Sequence, residues 1–445
     1  MVFLCHFCTM TSTPIETLYA AFLASTGIVT DSRKVGNQSL YVALRGDRFD
    51  GNTFALDALR SGAVAVVVDD ASLVSHDPKK ILWVNNTLEA LQALGARHRS
   101  FWNHPVIGLT GSNGKTTAKE LFSSVLSQQF AVWNTQGNLN NHIGVPLTLL
   151  SLRPEHQIAV IEMGANHQKE IALLSELVHP SVGYITNFGK GHLEGFGGIE
   201  GVIIGKSELY VALRAQQGLA LINGDDPLQW EHSNGIPHFV FALENSPVQA
   251  DVRYKIAEGK NGFAAISFQG LLLQSHLAGA FQCTHLAAAA ALGTYFGLTP
   301  QQIKAGIESY VPQNNRAEWR RTNKNTVLLD AYNANPSSML ASLQSAQTQE
   351  SGKPHVYILG DMMELGSYAA VEHQALLDWI QAHAPTAEVM TVGPLFQACQ
   401  APKGTVQFAT TDDALDFFKK NPLKDRFVLL KASRSMALER LLEAL

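Results

Sequence analysis

At 445 residues the chain is too long for a single hydrophobic core and fits about three domains of roughly 100–200 residues each. Hydrophobic residues make up 46%, both charge signs are interspersed and the formal net charge is −5, which argues against nucleic acid or an anionic membrane as the main partner. Any phosphate binding must therefore be local, and no apolar run approaches the ~20 residues of a membrane span.

Two of the four cysteines fall in Cys5-His6-Phe7-Cys8. A lone pair at this spacing, with no second pair, does not make a metal site. Met10 begins a more ordinary N-terminus, so residues 1–9 read as an upstream-start extension. The scattered cysteines fit a reducing cytoplasm. Residues 18–29 are apolar, but no Lys or Arg precedes Arg33 and Glu16 lies upstream; this pattern predicts a helix and not a targeting peptide. Short strands are expected at 40–44 and 64–69, helices at 53–61 and 87–100, and a turn at 47–52. A boundary near 101–105 closes a first domain, residues 1–103.

Residues 106–117 read VIGLTGSNGKTT. An apolar strand ends in a glycine-rich turn, and a helical pattern follows from Ala118. Strand, loop and helix in that order set backbone N–H groups and a helix N-terminus around a phosphate. Lys115 would reach the β/γ-phosphates and the Thr116 hydroxyl would hold Mg²⁺. Gly108, Gly111 and Gly114 are three apart, and Leu109 stands where the first glycine of a strict P-loop belongs.

Further strands are expected at 158–163, 182–187 and 219–223. Strands alternating with helices predict a parallel sheet whose ligands sit at the strands' carboxyl ends. There the polar residues cluster: Glu162, then Thr186 and Asn187, then Asn223 to Asp226. Residues 135–146 are dense in amides and glycines, among them Thr135, Asn138 and Asn141. Glu162 and His192, at neighbouring strand ends near Thr116, have the chemistry to complete a Mg²⁺ shell. Lys206, on a helical stretch, reads by itself as a solvated lysine. The alanine-rich stretch 285–293 predicts a closely packed helix, and the second domain spans 104–312.

The last domain, 313–445, repeats the logic. Strands are expected at 326–329, 355–359, 388–392 and 427–430, with Asp330, Asp361 and Lys431 following three of them. The predicted fold is α/β in three domains: a first one, a central parallel-sheet P-loop ATPase domain and a C-terminal Rossmann-like α/β domain.

Together these motifs resemble the Mur ligase family, which builds the peptide stem of bacterial peptidoglycan. The resemblance runs from about residue 30 to the C-terminus. Thr30-Asp31-Ser32-Arg33 and residues 43–51 are similar to that family's UDP-sugar domain, which nominates Ser32, Arg33, Gly46, Asp50 and Gly51 as substrate contacts beside Thr135, Asn138 and Asn141. Gly111, Ser112, Asn113, Gly114, Lys115, Thr116 and Thr117 match its ATP loop. The resemblance implies that Thr116, Glu162 and His192 are magnesium ligands, and that Lys206 is the lysine the family carbamylates to hold a second Mg²⁺. Lys115, Glu162, His192 and Lys206 are then the catalytic set, and Arg316 and Asp330 close onto ATP. The family's His-Asn…Asn motif near the adenine falls at Phe281-Gln282…His285, leaving His285 as the polar contact; its Lys-Gly-Ser-Arg is here Lys431-Ala432-Ser433-Arg434.

The motifs at 162–165, 330–336 and 360–366 are similar to those of the member acting last in the series. The implied reaction is ATP-dependent addition of D-alanyl-D-alanine to UDP-N-acetylmuramoyl-tripeptide through an acyl phosphate, in the cytoplasm and by a monomer. Asn333 and Asn335 would meet D-alanyl-D-alanine by position, and the third stem residue is diaminopimelate or lysine. Another Mur-type or folylpolyglutamate-type ligase would keep the same ATP chemistry. A P-loop ATPase acting on a protein partner would leave the first hundred residues and the amide cluster unexplained.

Overall fold

A computed structural model of the chain describes residues 11–312, 316–349 and 352–445. Cys5-His6-Phe7-Cys8, Met10 and the second expected boundary, between 312 and 313, lie outside or at the edge of the described residues. Three α/β domains follow one another, each with its own sheet.

In the first, four parallel strands run Ile28–Val29, Leu40–Val42, Ala65–Val68, Ile81–Trp83 across the sheet. Leu40–Val42 and Ala65–Val68 are buried throughout, as expected of strands covered on both faces. The helix expected over 18–29 is shorter. It spans Ile15–Leu23, and the Ser25 hydroxyl bonds the Phe22 carbonyl at 2.7 Å. Gly27, at φ +145°, then turns the chain into the edge strand. Helix Thr87–Phe101 is capped by Asn86, whose side chain accepts from the Leu88 and Glu89 amides. It lies against the second domain: Gly95 abuts Pro146, and Arg99 donates to the Val178 and His179 carbonyls at 2.9 and 3.1 Å.

The central sheet has nine strands. From one edge, Val132–Asn134, Ile158–Glu162, Val106–Thr110, Val182–Ile185, Leu219–Asn223, His238–Leu243 and Val252–Ala257 are parallel neighbours. A hairpin of Phe263–Phe268 and Leu271–Ala278 extends the sheet antiparallel. Val106–Thr110 sits where chain order reverses, between the strands that end in Glu162 and Ile185. That switch point is where an open α/β sheet leaves a crevice.

Helix Lys115–Leu126 leaves this strand and buries Leu121, Phe122, Val125 and Leu126 completely. Each such side chain contributes about 1.5–3 kcal/mol on burial. Small residues set its distance to its neighbours. Helix Cys283–Tyr295 presents five consecutive buried alanines, 287 to 291, and a Cβ on Gly306 of helix Pro300–Ser309 would sit 2.5 Å from the Val125 Cα.

The third sheet runs Glu318–Arg321, Thr326–Asp330, Phe427–Lys431, His355–Gly360, Glu388–Val392, Val406–Phe408, with only the first strand antiparallel. Its carboxyl edge faces that of the central sheet. Asn113 and Asn335 exchange amide hydrogen bonds of 3.3 and 2.7 Å across the gap, and Lys190 pairs with Glu372 at 2.6 Å.

Gly306→Val should lower stability by about 1–3 kcal/mol in urea unfolding, because the added methyls meet backbone and not a movable side chain. An unchanged midpoint would show that the two helices separate without cost.

Candidate active site

The loop after Val106–Thr110 is fixed by lack of space. Gly111 has φ +139° and a Cβ there would lie 2.0 Å from the Thr186 hydroxyl; Gly114 has φ +79° and a Cβ there would lie 2.1 Å from His285 Nε2. Both positions need glycine for backbone conformation and for room. Loop 186–189 braces the turn from beside. Thr186 Oγ1 and Asn187 Nδ2 donate to the Asn113 carbonyl at 2.6 and 3.0 Å, and Ser112 Oγ donates to the Gly189 carbonyl at 2.6 Å. Helix Lys115–Leu126 then starts with no side-chain cap among the described residues. Its first N–H groups point where an anion is favoured.

Lys115 Nζ folds over the turn, 2.7 Å from the Gly111 carbonyl and 3.4 Å from that of Ser112. Burial holds this ammonium below the usual lysine range; Glu162 opposes the shift and Arg316 adds to it. Thr116 Oγ1 donates to one Glu162 oxygen at 2.9 Å and Asn140 Nδ2 to the other at 2.8 Å.

Thr135, expected to touch substrate, is fully enclosed and lies beneath the site. Its hydroxyl accepts from the Glu162 backbone N–H at 2.9 Å, while its carbonyl accepts from the buried Lys119 ammonium at 2.6 Å. A threonine at a strand end reads alike whether it faces solvent or a neighbouring strand. Only the pairing of strands separates the two.

These groups open into a cleft of about 990 Å³ between the second and third domains. Ser112, Asn113, Gly114, Lys115, Thr116, Thr117, Asn138, Asn141, Glu162, His192, His285, Arg316, Asp330 and Asn333 all line it. Arg316 lies 3.6 Å over the Tyr332 ring, and Asp330 accepts from Lys431 Nζ at 2.5 Å and from Ser342 Oγ at 2.8 Å. Asn141 also holds the turn into helix Gly144–Leu150, accepting from the Ile143 and Gly144 amides. Asn335, in contrast, is occupied by Asn113 and by capping helix Pro336–Gln347. Its amide is a domain contact and does not line the cleft.

Lys206 is 1% exposed and likewise sits behind the cleft wall. Its Nζ donates to the Ala165 carbonyl at 3.1 Å and lies 4.8 Å from the Phe196 ring centre. Burial drives its pKa well below the lysine range, so the reading of a solvated lysine is corrected. His285, on the alanine-rich helix, is buried with its Nδ1 unbonded among the described residues, and desolvation lowers its pKa to about 4.

Ser32, Arg33, Gly46, Asp50 and Gly51 lie in the first domain, away from this cleft. Arg33 binds Asp31 through two hydrogen bonds of 2.9 and 2.8 Å, and Asp50 accepts the Asn52 amide at 2.9 Å. Asp69, which sequence reasoning missed, joins this end of the domain together: it accepts from Arg45 at 2.8 Å, Asn52 at 2.7 Å and Thr87 at 3.3 Å. Asn140 and Lys119 were also missed as site-building residues. The amide cluster signalled the first, and nothing in the sequence signalled the second.

No group of three or more His, Cys, Asp or Glu side chains forms a metal cage among the described residues. Mg²⁺ does not need one, because it keeps waters and takes one or two carboxylates plus substrate phosphates. A threonine hydroxyl and a carboxylate in direct contact beside an anion-binding turn fit that donor set.

Comparison with known proteins places these features. Three family models match the chain: the Mur ligase family catalytic domain over residues 25–99, the Mur ligase middle domain over 109–293, and the Mur ligase glutamate ligase domain over 315–434. UDP-N-acetylmuramoyl-tripeptide--D-alanyl-D-alanine ligase of Bacillus subtilis is 32% identical over 94% of this chain and 93% of its own length. The enzyme of that name from Escherichia coli is 34% identical over 96% and 95%. Among solved structures, MurF from Acinetobacter baumannii superposes with a TM-score of 0.84 at 30% identity, covering 98% of each chain. MurF ligase from Thermotoga maritima in complex with ADP gives 0.83 at 26% identity, covering 95% of this chain and 97% of its own.

Gly114→Ala should weaken ADP binding by about tenfold or more in calorimetric titration, through both clash and positive φ. His285→Ala in the same chain should restore part of the loss by removing the clash alone. His285 also predicts a pH dependence. Its pKa is about 4 when folded against 6.5 in the unfolded chain, so between these values the unfolded chain binds the extra proton. Stability is full above the upper value and falls as pH drops toward the lower one. Urea unfolding should show a loss of about 2 kcal/mol between roughly pH 7 and pH 5 that His285→Gln abolishes.

Proposed function

The chain belongs to the Mur ligase family, and from this we propose that it joins D-alanyl-D-alanine to UDP-N-acetylmuramoyl-tripeptide at the expense of ATP, the last cytoplasmic peptide step in making the peptidoglycan precursor. The observation that carries the reading is the single cleft in which the turn at 111–117 faces Arg316, Asp330 and Lys431 of the last domain. Relatives named for this reaction match the chain nearly end to end, first hundred residues included. A P-loop ATPase serving a protein partner would need no such domain.

Amide formation from a carboxylate is uphill in water. ATP overcomes this by phosphorylating the tripeptide carboxylate; the amine of D-alanyl-D-alanine then displaces phosphate through a tetrahedral intermediate. The first step brings a carboxylate toward a multiply charged phosphoryl group. Two unit charges ~4 Å apart at an effective dielectric of about 20 repel by roughly 4 kcal/mol. Lys115 and Arg316 offset that repulsion and hold the groups in line. Thr116, Glu162 and His192 would hold Mg²⁺, which supplies further positive charge against the phosphates when bound.

Lys206 fits the carbamate reading. A buried amine with depressed pKa is neutral, so its lone pair can form an N–C bond to CO₂ and release a proton. The product is an anionic oxygen ligand for a second Mg²⁺ in place of a cation. Ser32, Arg33, Gly46, Asp50 and Gly51 of the first domain take the UDP end, and Asn333 of the last domain takes the dipeptide. Cuts after 103 and 312 give each task its own domain. Closure of the last domain excludes water that would hydrolyse the acyl phosphate. No helix among the described residues is long and apolar enough to cross a membrane, and the chain works as a monomer.

Phosphate release from Mg-ATP should require both UDP-N-acetylmuramoyl-tripeptide and D-alanyl-D-alanine and yield a pentapeptide product. Release indifferent to both would sink the ligase reading. In the same assay Lys206→Ala should lose nearly all turnover, without rescue by bicarbonate, and near-normal turnover would remove the carbamate.

A further inference from the structure

His192 ends a loop that the last domain grips at two points. At the first, the Lys190 ammonium pairs with Glu372 at 2.6 Å and the Lys190 amide donates to Ser337 Oγ at 2.9 Å. At the second, the Glu194 amide donates to the Glu364 carbonyl at 3.3 Å, and the Glu364 carboxylate bonds His192 Nδ1. Both His192 and Glu364 hold left-handed backbone, φ +53° and +62°, which non-glycine residues adopt when their surroundings impose it.

The segment bearing Glu364 is anchored from behind. The fully buried Asp361 accepts the Leu395 and Phe396 amides at 2.9 and 3.0 Å. The Met362 amide donates to His373 Nε2 at 3.0 Å, and the Met363 amide to Ser433 Oγ at 2.9 Å. A rigid turn of one domain thus extends a carboxylate to the imidazole of another. Of the two gripped side chains, only His192 lines the cleft.

We propose that Glu364 is a positioning residue for His192, taking its Nδ1–H across the domain boundary and thereby leaving Nε2 as the lone pair for a divalent cation. A carboxylate behind a metal-binding imidazole fixes its tautomer and ring orientation. Here that carboxylate arrives only with the last domain, so cation affinity and domain docking are linked, each strengthening the other. The inference rests on the reading of His192 as a magnesium ligand.

Mn²⁺ binding to the full chain, followed by electron paramagnetic resonance with a non-hydrolysable ATP analogue present, tests it. His192→Ala and Glu364→Ala should each weaken Mn²⁺ by about 10–100-fold. The double variant should be no weaker than His192→Ala alone, and Glu372→Ala, which loosens docking but keeps the carboxylate on His192, should weaken Mn²⁺ clearly less than Glu364→Ala. Unchanged affinity in Glu364→Ala beside a weakened His192→Ala overturns the inference. Equal weakening by Glu364→Ala and Glu372→Ala also overturns it, since domain docking alone would then be at work. Unchanged affinity in His192→Ala instead removes the magnesium reading beneath it. Imidazole ¹⁵N spectra of the unaltered chain need no variant: Nδ1 should carry the proton, and a proton on Nε2 contradicts the inference.

Discussion

The cleft depends on one carboxylate held almost out of water. Glu162 is 2% exposed, and an anion so placed persists only when hydrogen-bonded. Its donors come from separate segments: Thr116 from the helix after the turn, Asn140 from the amide-rich loop, with Thr135 fixing its backbone. Hydrogen bonds to a charged group are worth about 1.5–3 kcal/mol each, so these contacts tie loop, helix and strand into one unit. Moving the helix or the loop would leave the carboxylate short of a donor.

Four lysines near the site show how surroundings assign different tasks to one side chain. Lys119 is buried beside Glu120 at 2.8 Å and Lys431 beside Asp330 at 2.5 Å, so both are charge-paired. Lys115 and Lys206 donate instead to carbonyls, Lys206 lying also against the Phe196 ring. Lys115 lines the cleft and keeps a use for its charge in phosphate; Lys206 is enclosed, where the neutral amine is favoured and nucleophilic.

The two facing sheets explain why the cleft needs a third domain. A parallel sheet gathers polar residues along one edge, and that edge alone is an open surface. Placing a second carboxyl edge opposite the first turns the surface into a cleft. Amide pairs and an ion pair cross the gap, and Leu193 and Phe196 of the second domain share a buried apolar cluster with Met362 and Leu365 of the third.

What the sequence determined by itself was the alternation of helices with the strands that carry the site, the glycines of the turn and the polar residue after each of those strands. Parallel α/β structure writes these locally: each strand is a short apolar run, and its end is marked by the first polar side chain. The strands of the antiparallel extension, residues 263–278, went unread, although Phe263–Phe268 carries an apolar run and is mostly buried. Whether Thr135 faces substrate or supports Glu162 depends on which strands are neighbours. Whether Lys206 is solvated or enclosed depends on the packing of its helix against the 165–196 segment. The Glu364–His192 and Asn335–Asn113 contacts join residues 172 and 222 positions apart. Tertiary structure decided these, because burial and long-range pairing are properties of the assembled chain and no local pattern encodes them.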